Sequence, residues 1–292
     1  MSRFLDLTLN GVSNGMIYAA VAIAFVLIWR ATRIVNFAQG AMLMVTTFIA
    51  WSVIDAGGSY WLGFAVAIVS GLLLGAVVEL VLIRPVERAP PLNAVIVAIG
   101  LLIFLQAVAG MIWGGTPRSF PPAFSIRGYD IGGHHVLFGP FDLFIVLAVL
   151  GAALLLLLLF RGTSIGLQMR ASAFEPTVAR LQGVRVGRML TLGWALASAA
   201  GSLAGLLIAP AVFVGPNNFD PVTVFGFTAA VLGGLDSPLG AVVGGLVLGL
   251  SLSYVAGYWG SALVTLAALV ILIAVLMVRP TGLFSAAKAR RV

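Results

Sequence analysis

The residues that could do chemistry in this sequence are few, and several of them lie where apolar runs are broken. The amides Asn36 and Gln39 follow the first run three residues apart, so Gln39 points either into a helix bundle or along a pathway. Polar groups at such breaks could contact a solute, because non-helical backbone within a membrane must line a cavity or be buried in protein. The candidate pathway residues are Asn36, Phe37, Gln39, Asp236 and Ser237.

Other titratable residues offer little for catalysis. Glu79 lies inside an apolar stretch about a turn and a half before Arg84, and we expect it to pair or to snorkel near the membrane interface. His134 and His135 are adjacent, so they cannot both face one metal from a strand or helix, and we interpret their loop (114–140) as a docking surface or lid. The sequence has no cysteine and no clustered acids within its apolar stretches, which leaves nothing for metal or acid–base catalysis there.

Residues 161–188 form one long polar interruption with five arginines and one glutamate. Its middle has the signals of a short helix, because Ser172 and Glu175 have capping-box spacing and Gly183 is a natural stop. Pro176 allows two registers, with either Ser172 or Glu175 as the cap. We prefer Glu175, because proline then occupies the favoured first helical position.

An apolar stripe runs along this basic element, since Phe174, Val178 and Leu181 recur at i, i+4 and i+7. A helix of about two turns is not stable alone in water. We therefore expect it to dock, either on its own membrane domain or on a partner protein. The simpler alternative is a solvated, positively charged anchor on the inner side of a membrane.

Composition predicts an all-α polytopic membrane protein, because 61% of the 292 residues are hydrophobic, 9% are charged and the mean hydropathy is +1.15. The seventh of eight apolar stretches is too long and too broken for one span, so we expect a re-entrant-like pair of half-length helices and nine passes if both cross. The stretches are 11–29, 36–54, 61–83, 92–113, 140–160, 189–212, 222–257 and 262–278.

The sixteen Lys and Arg residues predict the orientation. An N-terminus outside and a C-terminus in the cytoplasm put thirteen of them inside and three outside, provided that stretch 222–257 enters and returns. The net charge of +7 is thereby explained without nucleic acid. The inner residues are Arg30, Arg33, Arg84, Arg88, Arg161, Arg170, Arg180, Arg185, Arg188, Arg279, Lys288, Arg290 and Arg291. The outer ones are Arg3, Arg118 and Arg127.

Several segments in order resemble one family, the permease subunits of branched-chain amino acid ABC importers of the LivH and LivM type, with the N-terminal half closest to LivH. The resemblance spans residues 33–249. It rests on RIVNFAQGAML, VELVLIRPV followed by GLLIFLQ, WGGTPRSFP, MRASAFEPTVARLQGVRVGRM and FTAAVLGGLDSPLGAVVGGLVLG.

The resemblance implies a single transmembrane permease domain over 1–292, in a bacterial plasma membrane, with 161–188 as the cytoplasmic coupling loop. The partners that it implies are two ATP-binding subunits, a paralogous permease and an extracytoplasmic binding protein facing loops 114–139 and 213–221. The chain has no phosphate loop, so ATP is expected on the partner subunits and no cofactor on this chain. The implied coupling residues are Ser172, Glu175, Ala179, Arg180, Leu181 and Gly183.

Two departures from the family pattern bear on substrate and partner. The family commonly has NFAHGE where this chain has NFAQGA, which removes a histidine and an acid near the expected pathway, and an acidic pair where it has Phe174 and Glu175. An aliphatic amino acid is the expected substrate, with other amino acids, amides and urea as alternatives. The rival interpretation is a stand-alone secondary transporter or channel, for which Glu79 and Asp236 are the candidate ionisable groups.

Overall fold

The computed structural model describes residues 2–86, 89–131, 134–136, 138–279 and 281–284. Arg88, Lys288, Arg290 and Arg291, which the charge pattern assigned to the inner side, lie outside these ranges. The described helices are α1 (Ser2–Thr32), α2 (Gln39–Asp55), α3 (Tyr60–Val78), α4 (Arg84–Val86), α5 (Pro91–Trp113), α6 (Pro140–Gly162), α7 (Ser164–Phe174), α8 (Pro176–Leu181), α9 (Val186–Val212), α10 (Asp220–Gly233), α11 (Pro238–Tyr258) and α12 (Val264–Val278). A π-turn (Glu79–Ile83) joins α3 to α4, and a 3-10 turn (Ser261–Leu263) precedes α12.

Helix α1 is the centre of the bundle and packs against α9, α10 and α11. It is apolar on all sides because it is surrounded by protein, and nearly all of its most apolar part is buried. Small residues allow the closest approach: a Cβ placed on Gly249 of α11 would lie 2.3 Å from the Cα of Gly15. The glycines therefore bring α1 and α11 into backbone contact.

Helices α2, α3 and α9 pack on one side of this centre, whereas α5, α6 and α12 are largely exposed. The exposed side chains of α5, α6 and α12 are mostly large and apolar, which is the surface that lipid requires. Seven helices of the described residues are long and apolar enough to cross a membrane, and α2 and α10 are shorter apolar helices. The predicted all-α polytopic fold is confirmed.

The predicted break within 222–257 lies between α10 and α11. Helix α10 has 14 residues, as expected for a half-length helix, whereas α11 has 21 and is long enough to cross by itself. Ser237 caps α11 by accepting a hydrogen bond from the N–H of Gly240 at 2.9 Å. The N–H groups of Leu283 and Phe284 donate to the last carbonyls of α10, on Leu232 and Gly233, at 3.0 and 3.2 Å. The helix end thus keeps its hydrogen bonds.

The side of the bundle that carries residues 161–188 is called the arginine face, and the opposite side, which carries 114–139, is called the hairpin face. On the hairpin face, β1 (Tyr129–Ile131) pairs antiparallel with β2 (His134–Val136). Arg118 and Val214 exchange two backbone hydrogen bonds of 2.8 Å, which joins loop 114–139 to corner 213–221. This bridge links the two segments that we expected to face a binding protein.

Candidate functional site

Three segments that interrupt the long apolar helices meet on the arginine face: the first break, after α1, the second break, between α10 and α11, and the loop 161–188. Arg33 at the end of α1 forms an ion pair with Asp236 in the turn between α10 and α11, although 203 positions separate them. A cavity of about 620 Å³ lies beside this pair, and Ser172 and Phe174 of segment 161–188 also line it. The first break, the second break and the loop thus form one site.

Helices α7 and α8 lie within segment 161–188, the predicted coupling loop. Glu175, with φ −146° and ψ 87°, is the N-cap residue of α8, and Pro176 occupies its first position. The preferred register is confirmed. Helix α7, with 11 residues, was not predicted. Its signal is Thr163, whose Oγ1 accepts a hydrogen bond from the N–H of Gly166 at 3.0 Å and caps the helix.

Gly183 ends α8 as predicted, with a φ of +82° that favours glycine. Its N–H donates to the carbonyl of Arg180, and the N–H of Val184 donates to that of Ala179, both at 3.0 Å. These two bonds form a Schellman motif, which satisfies carbonyls at the helix end and turns the chain towards α9. The short helix therefore has a fixed exit direction.

The predicted stripe does not lie on a single helix, because Phe174 ends α7 whereas Val178 and Leu181 lie on α8, beyond the non-helical Glu175. Its side chains do not dock on their own chain. Phe174 is 90% exposed, Val178 51% and Leu181 84%. Side chains of this size are rarely left in water as a contiguous group unless they meet a partner or a membrane. The exposure of these side chains contradicts docking on the chain's own membrane domain; docking on a partner protein and the charged anchor on the inner side of a membrane both stay predictions.

The six predicted coupling residues divide into two groups. Ser172 and Ala179 are buried against their own chain, and Ala179 packs on Val186 and Leu190 of α9. The other four are exposed on the free side of the element: Glu175, Arg180, Leu181 and Gly183. The role of all six in coupling stays a prediction, but only the exposed four are accessible to a partner in this conformation.

An ion pair with a buried carboxylate follows the end of α3 and is hydrogen-bonded to the start of α9. Glu79, 1% exposed, accepts hydrogen bonds from Arg84 Nε at 3.1 Å and Nη2 at 2.9 Å. The expected pairing of Glu79 is confirmed. Three further hydrogen bonds were missed because they join residues more than a hundred positions apart. Thr191 Oγ1 donates to Glu79 at 2.7 Å, and Arg84 Nη2 donates to Thr191 Oγ1 at 2.8 Å and to the carbonyl of Gly187 at 3.0 Å.

The two amides of the first break point into the bundle. Asn36 and Gln39 are 1% and 0% exposed, and Asn36 Nδ2 donates to Gln39 Oε1 at 3.3 Å. Gln39 Nε2 reaches the carbonyl of Ala197 on α9 at 3.4 Å. Phe37 between them is 44% exposed. Their place along a translocation path stays a prediction, as does that of Asp236 and Ser237.

The described residues contain no group of three or more His, Asp or Glu that could hold a metal ion.

The described residues include seven helices long and apolar enough to cross a membrane, which makes this a multi-pass membrane protein, and its broken helix pair is typical of membrane transport proteins. The chain belongs to the family described as the permease component of branched-chain amino acid transport systems, whose profile matches residues 7–278.

Curated relatives match the chain over nearly its full length. It is 31% identical to the high-affinity branched-chain amino acid transport system permease protein LivH of Escherichia coli K12, covering 99% of this chain and 98% of that one. It is 26% identical to BraD of Pseudomonas aeruginosa, with the same coverage. Among solved structures, PsaBC from Streptococcus pneumoniae in complex with Fab covers 94% of this chain and 91% of its own, with a TM-score of 0.50 and 17% identity. That likeness concerns the fold alone.

Family membership confirms the resemblance seen in the sequence. The chain is therefore a non-catalytic, multi-pass membrane subunit of an ABC transporter and not an enzyme. A permease of this class works with ATPase and substrate-binding protein partners. These findings favour the importer interpretation and lend no support to a stand-alone secondary transporter or channel.

Proposed function

We propose that this chain forms part of the translocation path for branched-chain or related amino acids in an ATP-driven importer. The relatives LivH and BraD are named as high-affinity permeases for branched-chain amino acids, and the family description agrees. The chain itself takes no cofactor in this proposal, because ATP is bound by the partner subunits.

The observation that carries the coupling role is the exposed stripe of Phe174, Val178 and Leu181. An apolar stripe that runs from the end of α7 along α8 fits a groove in an ATP-binding subunit, where burial supplies the stability that a helix as short as α8 lacks alone. The exposed Glu175 and Arg180 flank the stripe and would meet charges of the groove. Ser172 and Ala179 would hold the element to its own membrane domain.

Movement of α8 would reach the membrane helices through two sets of contacts. Ala179 packs on Val186 and Leu190, so displacement of α8 acts on the start of α9. The carbonyl of Gly187 and the hydroxyl of Thr191 are tied to Arg84 and Glu79, so α9 acts on the end of α3. Tilting α9 and α3 against α1 would alternate access to the path.

The same proposal assigns the path to the two breaks. Asp236 and Ser237 lie at the arginine face, beside the cavities there. Asn36 and Gln39 lie deeper, between α2 and α9, where a shift of α9 would free their amides from Ala197 and expose them to a solute. Phe37 would line the entrance on the arginine face.

The assembly that we propose contains two ATP-binding subunits, a paralogous permease and an extracytoplasmic binding protein. The arginine face lies in the cytoplasm of a bacterium and the hairpin face outside its plasma membrane. The joined surface of loop 114–139 and corner 213–221 would receive the binding protein. The exposed apolar helices would meet lipid and the second permease.

The deciding experiment is an ATPase assay on the purified complex with a pull-down of the nucleotide-binding subunits. We expect Glu175→Arg and Gly183→Pro to release these subunits or abolish stimulated ATPase. Gly57→Pro is the matched control, because Gly57 on the hairpin face also has a positive φ, of +91°, and an N–H that donates to a carbonyl three residues earlier. If no ATPase copurifies and neither substitution alters uptake into vesicles, the loop is only an anchor and the proposal fails.

A further inference from the structure

Two adjacent cavities on the arginine face carry an excess of positive charge. The larger, of about 620 Å³, and the smaller, of about 280 Å³, share Arg30, Phe160, Arg170 and Asp236 in their walls. Arg33 lines the larger one and Arg161 the smaller. Four arginines thus surround a space that contains one aspartate.

Neighbouring side chains compensate little of this charge. Within the described ranges, the salt bridge between Arg33 and Asp236 is the only one made by these arginines. The guanidinium of Arg30 lies 5.1 Å from the ring centre of Phe160, and that of Arg170 makes one long hydrogen bond of 3.4 Å to the carbonyl of Gly166. Arginine has five N–H donors, so most of the donors in this cluster are left for a ligand.

An unpartnered hydroxyl in the same wall also points to a ligand. Ser172 lines the larger cavity, is 2% exposed, and its buried Oγ has no hydrogen-bond partner in the structure. A buried hydroxyl without a partner is destabilising, so such groups in native proteins usually meet a ligand or water. A serine hydroxyl beside arginines is the donor set that binds phosphate oxygens.

The smaller cavity has an apolar side. Leu156, Leu157 and Leu239 line it, and Leu239 is 54% exposed. Their neighbours on α6, Leu154 and Leu158, are 55% and 57% exposed and belong to the surface that faces lipid. The charged part of the cavity therefore opens onto the position of acyl chains.

We propose that these cavities bind the phosphate of an anionic phospholipid. Arg30, Arg161 and Arg170 hold the phosphate oxygens, with Ser172 as a further donor, and an acyl chain lies along the leucines of α6 and α11. Basic pockets between membrane helices bind anionic lipid headgroups by this combination of charge and apolar surface. Phe174 of the exposed stripe and Asp236 of the proposed path also line these cavities, but lipid retention is measured on the isolated chain, so the test does not depend on ATPase capture.

Native mass spectrometry of the purified full-length chain tests the site. The probes are dioleoylphosphatidylglycerol and dioleoylphosphatidylcholine, which share acyl chains, with millimolar inorganic phosphate as a third arm. We expect tight retention of the phosphatidylglycerol alone. Arg161→Gln and Arg170→Gln should each weaken it about fivefold, and the double variant about twenty-five-fold.

Arg188→Gln is the matched control, because Arg188 is exposed on the same face and lies outside both cavities. Arg170→Lys should restore part of the affinity, and circular dichroism melts in lipid-free detergent check that each variant is folded. Equal retention of both lipids, or unchanged retention by the folded double variant, overturns the proposal. Competition by inorganic phosphate as strong as that by the lipid overturns the assignment to a phospholipid.

Discussion

At the scale of single residues, Glu79 and Arg84 form an ion pair whose two partners differ in burial. The carboxylate is 1% exposed, whereas the Arg84 side chain is 39% exposed and can regain water. Removing the cation from a buried pair leaves an uncompensated charge in the protein interior, and the resulting loss of folding free energy exceeds the net contribution of the pair. The pair therefore depends more on Arg84 than on Glu79.

We expect Arg84→Met to lower the unfolding free energy by on the order of 3 kcal/mol. Glu79→Gln should cost less, because its single amide oxygen can still accept from Arg84 Nη2 and Thr191, although the bond from Arg84 Nε is lost, and because the guanidinium is partly hydrated. Thermal melts of the purified protein in one detergent compare the two variants. A larger loss for Glu79→Gln would contradict this account.

The second ion pair of the described residues, between Arg33 and Asp236, is more exposed. The two side chains are 54% and 51% exposed, and pairs of this kind contribute between 0 and about 1 kcal/mol. We expect Asp236→Asn to leave the melting temperature nearly unchanged. If solute uptake falls while the melting temperature is unchanged, the carboxylate acts on the solute or on gating. A large loss of stability would instead make Asp236 a structural residue.

At the scale of elements, the contact between α3 and α9 depends on small residues. A Cβ on Gly75 would lie 2.3 Å from the carbonyl oxygen of Trp194, a backbone atom that cannot move alone. The tie between Glu79 and Thr191 lies at the end of this contact, so the two helices are close-packed where we propose that movement enters the membrane.

Gly75→Ala should therefore destabilise the protein by about 1–3 kcal/mol, because the helices must separate. Gly151→Ala on α6 is the matched control, since Gly151 is exposed and its added Cβ would meet nothing within 4 Å. We expect its melting temperature to stay the same or rise slightly. Similar losses for both variants would mean that the contact is looser than the structure indicates.

The exposed stripe, formed by Phe174 at the end of α7 and by Val178 and Leu181 on α8, gives a prediction of the opposite kind. Phe174→Ser should leave the melt of the isolated permease unchanged, because the ring is 90% exposed, and should weaken capture of the ATP-binding subunits tenfold or more, since an interface loses a buried aromatic anchor. Ile165→Ser on α7 is the control, as Ile165 is 45% exposed on the same loop but off the stripe. Equal capture by the two variants would remove the stripe from the interface.

At the scale of the whole molecule, what the sequence predicts depends on the distance over which each interaction acts. The Glu175 cap, the Gly183 stop and the pairing of Glu79 with Arg84 involve residues within one or two turns, so local rules predicted them. Apolar stretches of membrane length predicted the helices, because lipid excludes unpaired backbone.

Local sequence rules could not predict the contacts that depend on how the helices pack against one another. Nothing near Arg33 in the sequence indicates Asp236, and nothing near Gln39 indicates that α9 covers it. The burial of Ser172 likewise depends on how α7 lies against the rest of the bundle, and α7 itself was missed because its polar residues have a weak apolar period. The candidate site was thus predicted as separate segments, and the structure joins them.

Orientation is the last property of the whole molecule, and a chain without cysteine suits its measurement. The excess of arginine on the arginine face predicts that this face is cytoplasmic. Thr177 on α8 and Thr116 on the hairpin face are both exposed, so cysteine at either position is accessible to a reagent. In intact cells whose outer envelope lets the reagent reach the plasma membrane, a membrane-impermeant maleimide should label Thr116→Cys. It should label Thr177→Cys only after the cells are lysed. The reverse pattern would show that the protein has the opposite orientation in the membrane, in which α8 could not contact a cytoplasmic ATPase.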